Sequence, residues 1–128
     1  MTFTRFEEVE AWQTARALAR AIYSATKEGP FRRDFGLSGQ MCRAVVSMMA
    51  NVAEGVHSRS DKEFTRYLFT AKASAAELQS HLYVAFDQEY LPDQAFKDLF
   101  GQTDRFSRQV SGLITYLTTP KPTKRKAS

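Results

Sequence analysis

The sequence predicts an all-α fold, an antiparallel up-down-up-down four-helix bundle. Three observations predict it. Apolar residues recur every three or four positions in four long segments, no stretch alternates as a half-buried strand does, and the connections between the segments are short. The 128 residues suffice for one domain, and 43% hydrophobic with 25% charged residues is the balance of a globular chain, not a disordered one. Residues 1–119 are assigned to the bundle and residues 120–128, "TKRKAS" preceded by "PKP", to a basic disordered tail.

The first helix is expected from about Phe6 to Glu28, with Val9, Trp12, Ala15, Leu18 and Ile22 as its apolar row. Its acids (Glu7, Glu8, Glu10) come early and its bases (Arg16, Arg20, Lys27) late, the order the helix dipole prefers. Gly29, Pro30 and Gly36 then interrupt it. The second helix is expected from about Ser38 to Glu54, with Gly55 placed as a left-handed C-terminal cap.

"SDKE" reads as a capping box opening the third helix: Ser60 accepts from the Glu63 amide while Glu63 reaches back to Ser60. That helix runs to about Asp87 on Phe64, Leu68, Ala71, Ala75, Leu78, Leu82 and Ala85. Pro92 is expected in the first turn of the fourth helix, whose heptad is Phe96, Leu99, Thr103, Phe106, Val110, Leu113 and Leu117.

The second helix is unusually apolar. At 100° per residue, Leu37, Met41, Val45, Met48, Val52 and Val56 form one face suited to the core. Cys42, Val46, Met49 and Ala53 form a second apolar strip, and a helix apolar nearly all round is normally covered on more than one side. That strip is therefore the expected subunit interface of a homo-oligomer. A narrow polar seam remains, made of Gln40, Arg43, Ser47, Asn51 and Glu54. The third helix has its own polar row in Thr70, Ser74, Glu77 and His81. If the two rows meet, Arg43 pairs with Glu77 and Ser47 and Asn51 hydrogen-bond beside them; if they do not, both rows face water.

The charge of +4 lies in the tail. Four of the 18 basic residues are Lys121, Lys124, Arg125 and Lys126, and the remaining 14 balance the 14 acids. Such a tail reads first as a solubilising end, and its charge alone could also hold phosphates. Arg59, Lys62, Arg66 and Tyr67 form a second cluster at the start of the third helix, bases interleaved with an aromatic that suit a nucleic-acid backbone and a stacked base.

Catalytic signatures are missing from the sequence. It has no glycine-rich phosphate loop, no His-Glu-x-x-His, no paired-cysteine spacing and no nucleophile elbow. His57 reads as a solvated loop residue, His81 as structural and Cys42 as a small packing residue. No cofactor or metal is expected, and the chain is read as a non-enzyme. One cysteine, an acidic amino terminus and no bilayer-length apolar run point to a cytoplasmic protein outside the membrane.

Gly36, Leu37, Gln40, Arg43, Ala44, Ser47, Asn51, Glu54 and Gly55 together resemble the second-helix signature of the four-helix bundle proteins related to the rRNA intervening-sequence proteins. Trp12, Gln13 and Ala15 match that family's first helix, and Glu63, Phe64, Ala71, Ser74, Glu77 and Leu78 its third. The sequence departs from the pattern at Met49, where members often carry Pro, and at Ala73, where Gly is common. The resemblance implies an antiparallel bundle that assembles as a homopentamer. Relatives that serve as accessory proteins of diversity-generating retroelements bind a reverse transcriptase and nucleic acid. The expected function is thus that of a non-enzymatic oligomer binding RNA or an RNA-handling partner. The alternative is a scaffolding oligomer that binds a protein partner and has no nucleic-acid role.

Overall fold

Four amphipathic stretches become four helices in the computed structural model, which describes residues 3–120. They are α1 (Glu10–Ala25), α2 (Phe35–Val56), α3 (Asp61–Asp87) and α4 (Asp93–Thr118), with short 3-10 turns at Phe6–Glu8 and Gly29–Arg33. No strand occurs among the described residues. Helix α1 packs on α2 and α4, and α3 packs on α2 and α4, so the four enclose one core.

The core is built from the rows the sequence predicts. Leu18, Ile22, Met41, Val45, Met48, Phe64, Leu68, Leu78, Leu82 and Phe106 are all fully buried. Burying one such side chain stabilises the fold by about 1.5–3 kcal/mol. Thr103 sits buried in the α4 heptad and its hydroxyl donates to the Leu99 carbonyl at 2.8 Å, which satisfies a polar group in an apolar layer.

The helix ends differ from the expected ones for identifiable reasons. The first helix is shorter than Phe6–Glu28: Val9 is extended and buried between the 3-10 turn and α1, and α1 ends at Ala25. Helix α2 starts three residues early, because Asp34 Oδ1 accepts the Leu37 amide at 3.1 Å and caps it. Gly36 therefore lies inside a helix, not in the break before it. Pro92 takes the N-cap position and α4 begins at Asp93.

Gly55 is not a left-handed cap. It is helical and buried, and a Cβ there would stand 2.6 Å from Phe64 Cδ1, so its smallness lets α2 and α3 approach where they join. Positive φ among the described residues occurs at Gly29 (φ 50) and at one residue with a side chain, Glu89 (φ 62). Glu89 closes α3 with a Schellman arrangement in which the Tyr90 amide donates to Ala85 O and the Glu89 amide to Phe86 O, each at 2.9 Å.

Candidate functional site

The two polar rows do meet, at their middle. Ser47 Oγ on α2 and Ser74 Oγ on α3 are 2.8 Å apart, and Asn51 Nδ2 donates to the Ser47 carbonyl at 2.8 Å and to Ser47 Oγ at 3.1 Å. Ser74 is buried, while Ser47 and Asn51 are half-buried. Three polar side chains thus satisfy one another inside an otherwise apolar contact.

The Arg43–Glu77 ion pair is not formed. Arg43 is exposed and its guanidinium folds back over Gly39, with Nη1 3.2 Å from where a Cβ would stand. Glu77 is exposed and sits 3.6 Å from His81 Nε2, one turn along its own helix. That is close enough for an ion pair and too long for a hydrogen bond. Gln40 and Glu54 are exposed. The charged ends of the seam reach water more cheaply than they reach each other, and only the short neutral side chains pair.

The start of α3 gathers the basic cluster. Ser60 Oγ accepts the Glu63 amide at 3.1 Å, as a capping box requires, but Glu63 Oε1 reaches the amide of Arg59 at 3.0 Å instead of that of Ser60. The reciprocal bond is displaced by one residue, and it fixes the loop that carries Arg59. Arg59, Lys62 and Arg66 are exposed, and Tyr67 is half-buried with its Cβ against the Gly55 backbone. Asp61, Lys62 and Thr65 share a surface groove with Leu117 and Thr118 at the end of α4. The chain therefore leaves the bundle beside Lys62. The tail residues Lys121, Lys124, Arg125 and Lys126 lie outside the described residues.

The second apolar strip of α2 divides. Cys42 is half-buried with its Sγ 3.8 Å from Thr26 Oγ1, and Met49 is half-buried against the core. Ala53 is half-buried, and Val46 is 45% exposed. Sequence reasoning missed Phe35, which is 79% exposed and extends the strip by a heptad before Cys42. It was hidden by placing the helix start at Ser38; the signal that reveals it is Asp34, a good N-cap directly before it.

Among the described residues no group of three or more His, Cys, Asp or Glu side chains is gathered to hold a metal, and no helix is long and apolar enough to cross a membrane.

These features define a four-helix protein with a hydrogen-bonded neutral seam and a basic loop at the point where its carboxyl-terminal segment departs. The chain matches the 23S rRNA-intervening sequence protein family over residues 7–112, and it belongs to that family. Its fold is similar to that of a protein of unknown function from the S23 ribosomal protein family of Bacteroides thetaiotaomicron, with a TM-score of 0.75 and 19% identity, over 82% of this chain and 95% of that one. No curated protein matches the chain.

Proposed function

We propose that this chain is a non-enzymatic, cytoplasmic, self-assembling bundle protein that binds RNA through the basic loop and tail. The observation that carries the reading is the shared groove of Lys62 and Thr118. Thr118 shares that groove with Lys62, and the sequence carries Lys121, Lys124, Arg125 and Lys126 directly after it, which supports a reading in which the two basic clusters serve one polyanion.

Assembly belongs to the same reading. The up-down-up-down antiparallel arrangement is supported by the short connections and by the Ser47–Ser74 contact. The resemblance implies a homopentamer, and the exposed Phe35 and Val46 on α2 supply apolar surface for a ring contact. In a ring the basic clusters repeat and their fields add.

The test is fluorescence anisotropy of a structured RNA across a salt series. The full chain is compared with one carrying Lys121→Ser, Lys124→Ser, Arg125→Ser and Lys126→Ser, and with Lys62→Ser/Arg66→Ser. The expected result is binding that steepens as salt falls and weakens in both variants. Absence of binding at low salt overturns the RNA reading and leaves a protein-binding scaffold in its place.

A further inference from the structure

The charges of the folded body cancel in sum but not in place. Residues 11–27 hold three bases, Arg16, Arg20 and Lys27, and no acid, while residues 87–104 hold five acids and one base. Arg16, Arg20 and Tyr23 on α1 and Lys27 in the turn that ends it are all exposed and are spaced 4, 3 and 4. On the helix they fall within roughly 60° of one another, turned away from the buried row of Ala11, Ala15, Leu18 and Ile22. Arg32 and Arg33 continue the row: both are exposed, and they line one groove with Gly29.

None of these five cations forms an ion pair with a described residue. Arg16 lies against Trp12 instead, 5.8 Å from the ring centroid. The acids nearest in sequence are turned elsewhere. Asp34 accepts the Leu37 amide and the Tyr90 hydroxyl, and Glu28 lines a groove with Asp98 and Gln102 on the α4 side. An ordinary solvated helix interleaves its signs one turn apart, as Asp93–Lys97 and Asp104–Arg108 do on α4. Arg16 and Arg20, one turn apart and alike in sign, repel until an anion lies across them.

We infer that this outer face of α1 is a further RNA contact, and that it takes a single strand. The inference rests on the RNA reading above and adds a surface of the folded body to the loop and tail. Arg16, Arg20 and Lys27 hold phosphates along roughly 16 Å, and Arg32 and Arg33 extend the track past the helix end. Tyr23 selects the strand. Its ring is 42% exposed between Arg20 and Lys27, placed to stack on an unpaired base. A duplex offers the phosphates without that free base face, and an acidic peptide offers no base at all.

The test is fluorescence anisotropy of a labelled oligouridylate, and of an RNA duplex, with the full chain across a salt series. Arg20→Gln/Lys27→Gln should lower the slope of log K against log salt by about 1.4, two phosphates at roughly 0.7 each. Tyr23→Ala should weaken binding of the single strand about tenfold and leave the duplex as it was, and Tyr23→Phe should restore it. Lys97→Gln/Arg108→Gln removes the same charge from the α4 face and should leave the slope unchanged. All these positions are exposed, and circular dichroism with native mass checks that fold and assembly persist. An unchanged slope in Arg20→Gln/Lys27→Gln, with binding still weakened by neutralising the tail, overturns the inference and leaves the RNA reading standing. An equal loss in Lys97→Gln/Arg108→Gln also overturns it, because net charge alone then sets the affinity. Tyr23→Ala without effect overturns the single-strand assignment. Absence of RNA binding by the unmodified chain at low salt overturns the RNA reading and this inference together.

Discussion

The hydroxyls of Ser47 and Ser74 face each other at 2.8 Å across the α2–α3 contact, and they are the polar centre of the most extensive helix pairing in the molecule. With Asn51 held to Ser47, the two helices share one polar layer. Sliding α3 by one turn would break the Ser47–Ser74 bond and bring Ser74 level with Arg43 or Asn51 instead.

Ser74→Ala should therefore cost about 1 kcal/mol, and Ser47→Ala about the same. A double-mutant cycle by chemical denaturation should return a coupling of roughly 0.5–1.5 kcal/mol. Arg43→Ala combined with Glu77→Ala should show none, because those charges do not touch.

Gly55→Ala should destabilise the protein by about 1–3 kcal/mol, the range for overpacking a tight contact. The added methyl collides with the Phe64 ring at 2.6 Å. A thermal melt of Gly55→Ala with Phe64→Leu separates this cause from helix propensity, since the smaller partner should recover part of the loss.

Glu89→Gly should stabilise by roughly 1 kcal/mol, the cost of holding a side chain in the left-handed region. Glu89 is the non-glycine residue with positive φ among those described, and the Schellman bonds around it require only its backbone. The readout is the midpoint of urea unfolding, with an unchanged slope.

Tyr90 supplies a pH dependence. Its hydroxyl donates to Asp34 Oδ2 at 3.0 Å, and that bond, assisted by partial burial and the carboxylate charge, raises the phenol above its ordinary value. A group raised in the folded state contributes stability below its unfolded value near 10, and loses it as pH climbs through the folded value. The stability gap between the native chain and Tyr90→Phe should be constant at neutral pH and shrink above about pH 10. Urea unfolding at a series of alkaline pH values measures it.

Much of the fold was legible in the sequence because burial imposes its own period. The rows at Met41–Val45–Met48–Val52 and Phe64–Leu68–Ala71–Ala75 are the buried ones, and the α4 heptad packs as spaced. What was not legible turned on single atoms. Whether Gly55 ends a helix or admits a neighbour depends on where Phe64 lies, and sequence spacing carries no such distance. Glu89 replaces the glycine that ordinarily announces a helix end, so the sequence gives no sign of the turn it makes. For the seam, spacing found the right rows and the right level. Of the expected charged pair and the hydrogen bonds beside it, only the neutral groups Ser47, Asn51 and Ser74 join, because both charges keep their water.

The contact between Tyr90 and Asp34 joins residues 56 positions apart, and Phe31 stacks on the same ring with centroids 5.0 Å apart. The hinge between α1 and α2 is thereby riveted to the one between α3 and α4, while the connection after α2 is held to the turn before α1 by a ring edge alone, His57 against Phe6 with centroids 5.9 Å apart. A circular permutant opened at residues 58–59 should keep its melting temperature within a few degrees, and one opened at residues 32–33 should lose both hinges together. The molecule is in this sense a clasp, shut at one corner and open to re-threading at the other.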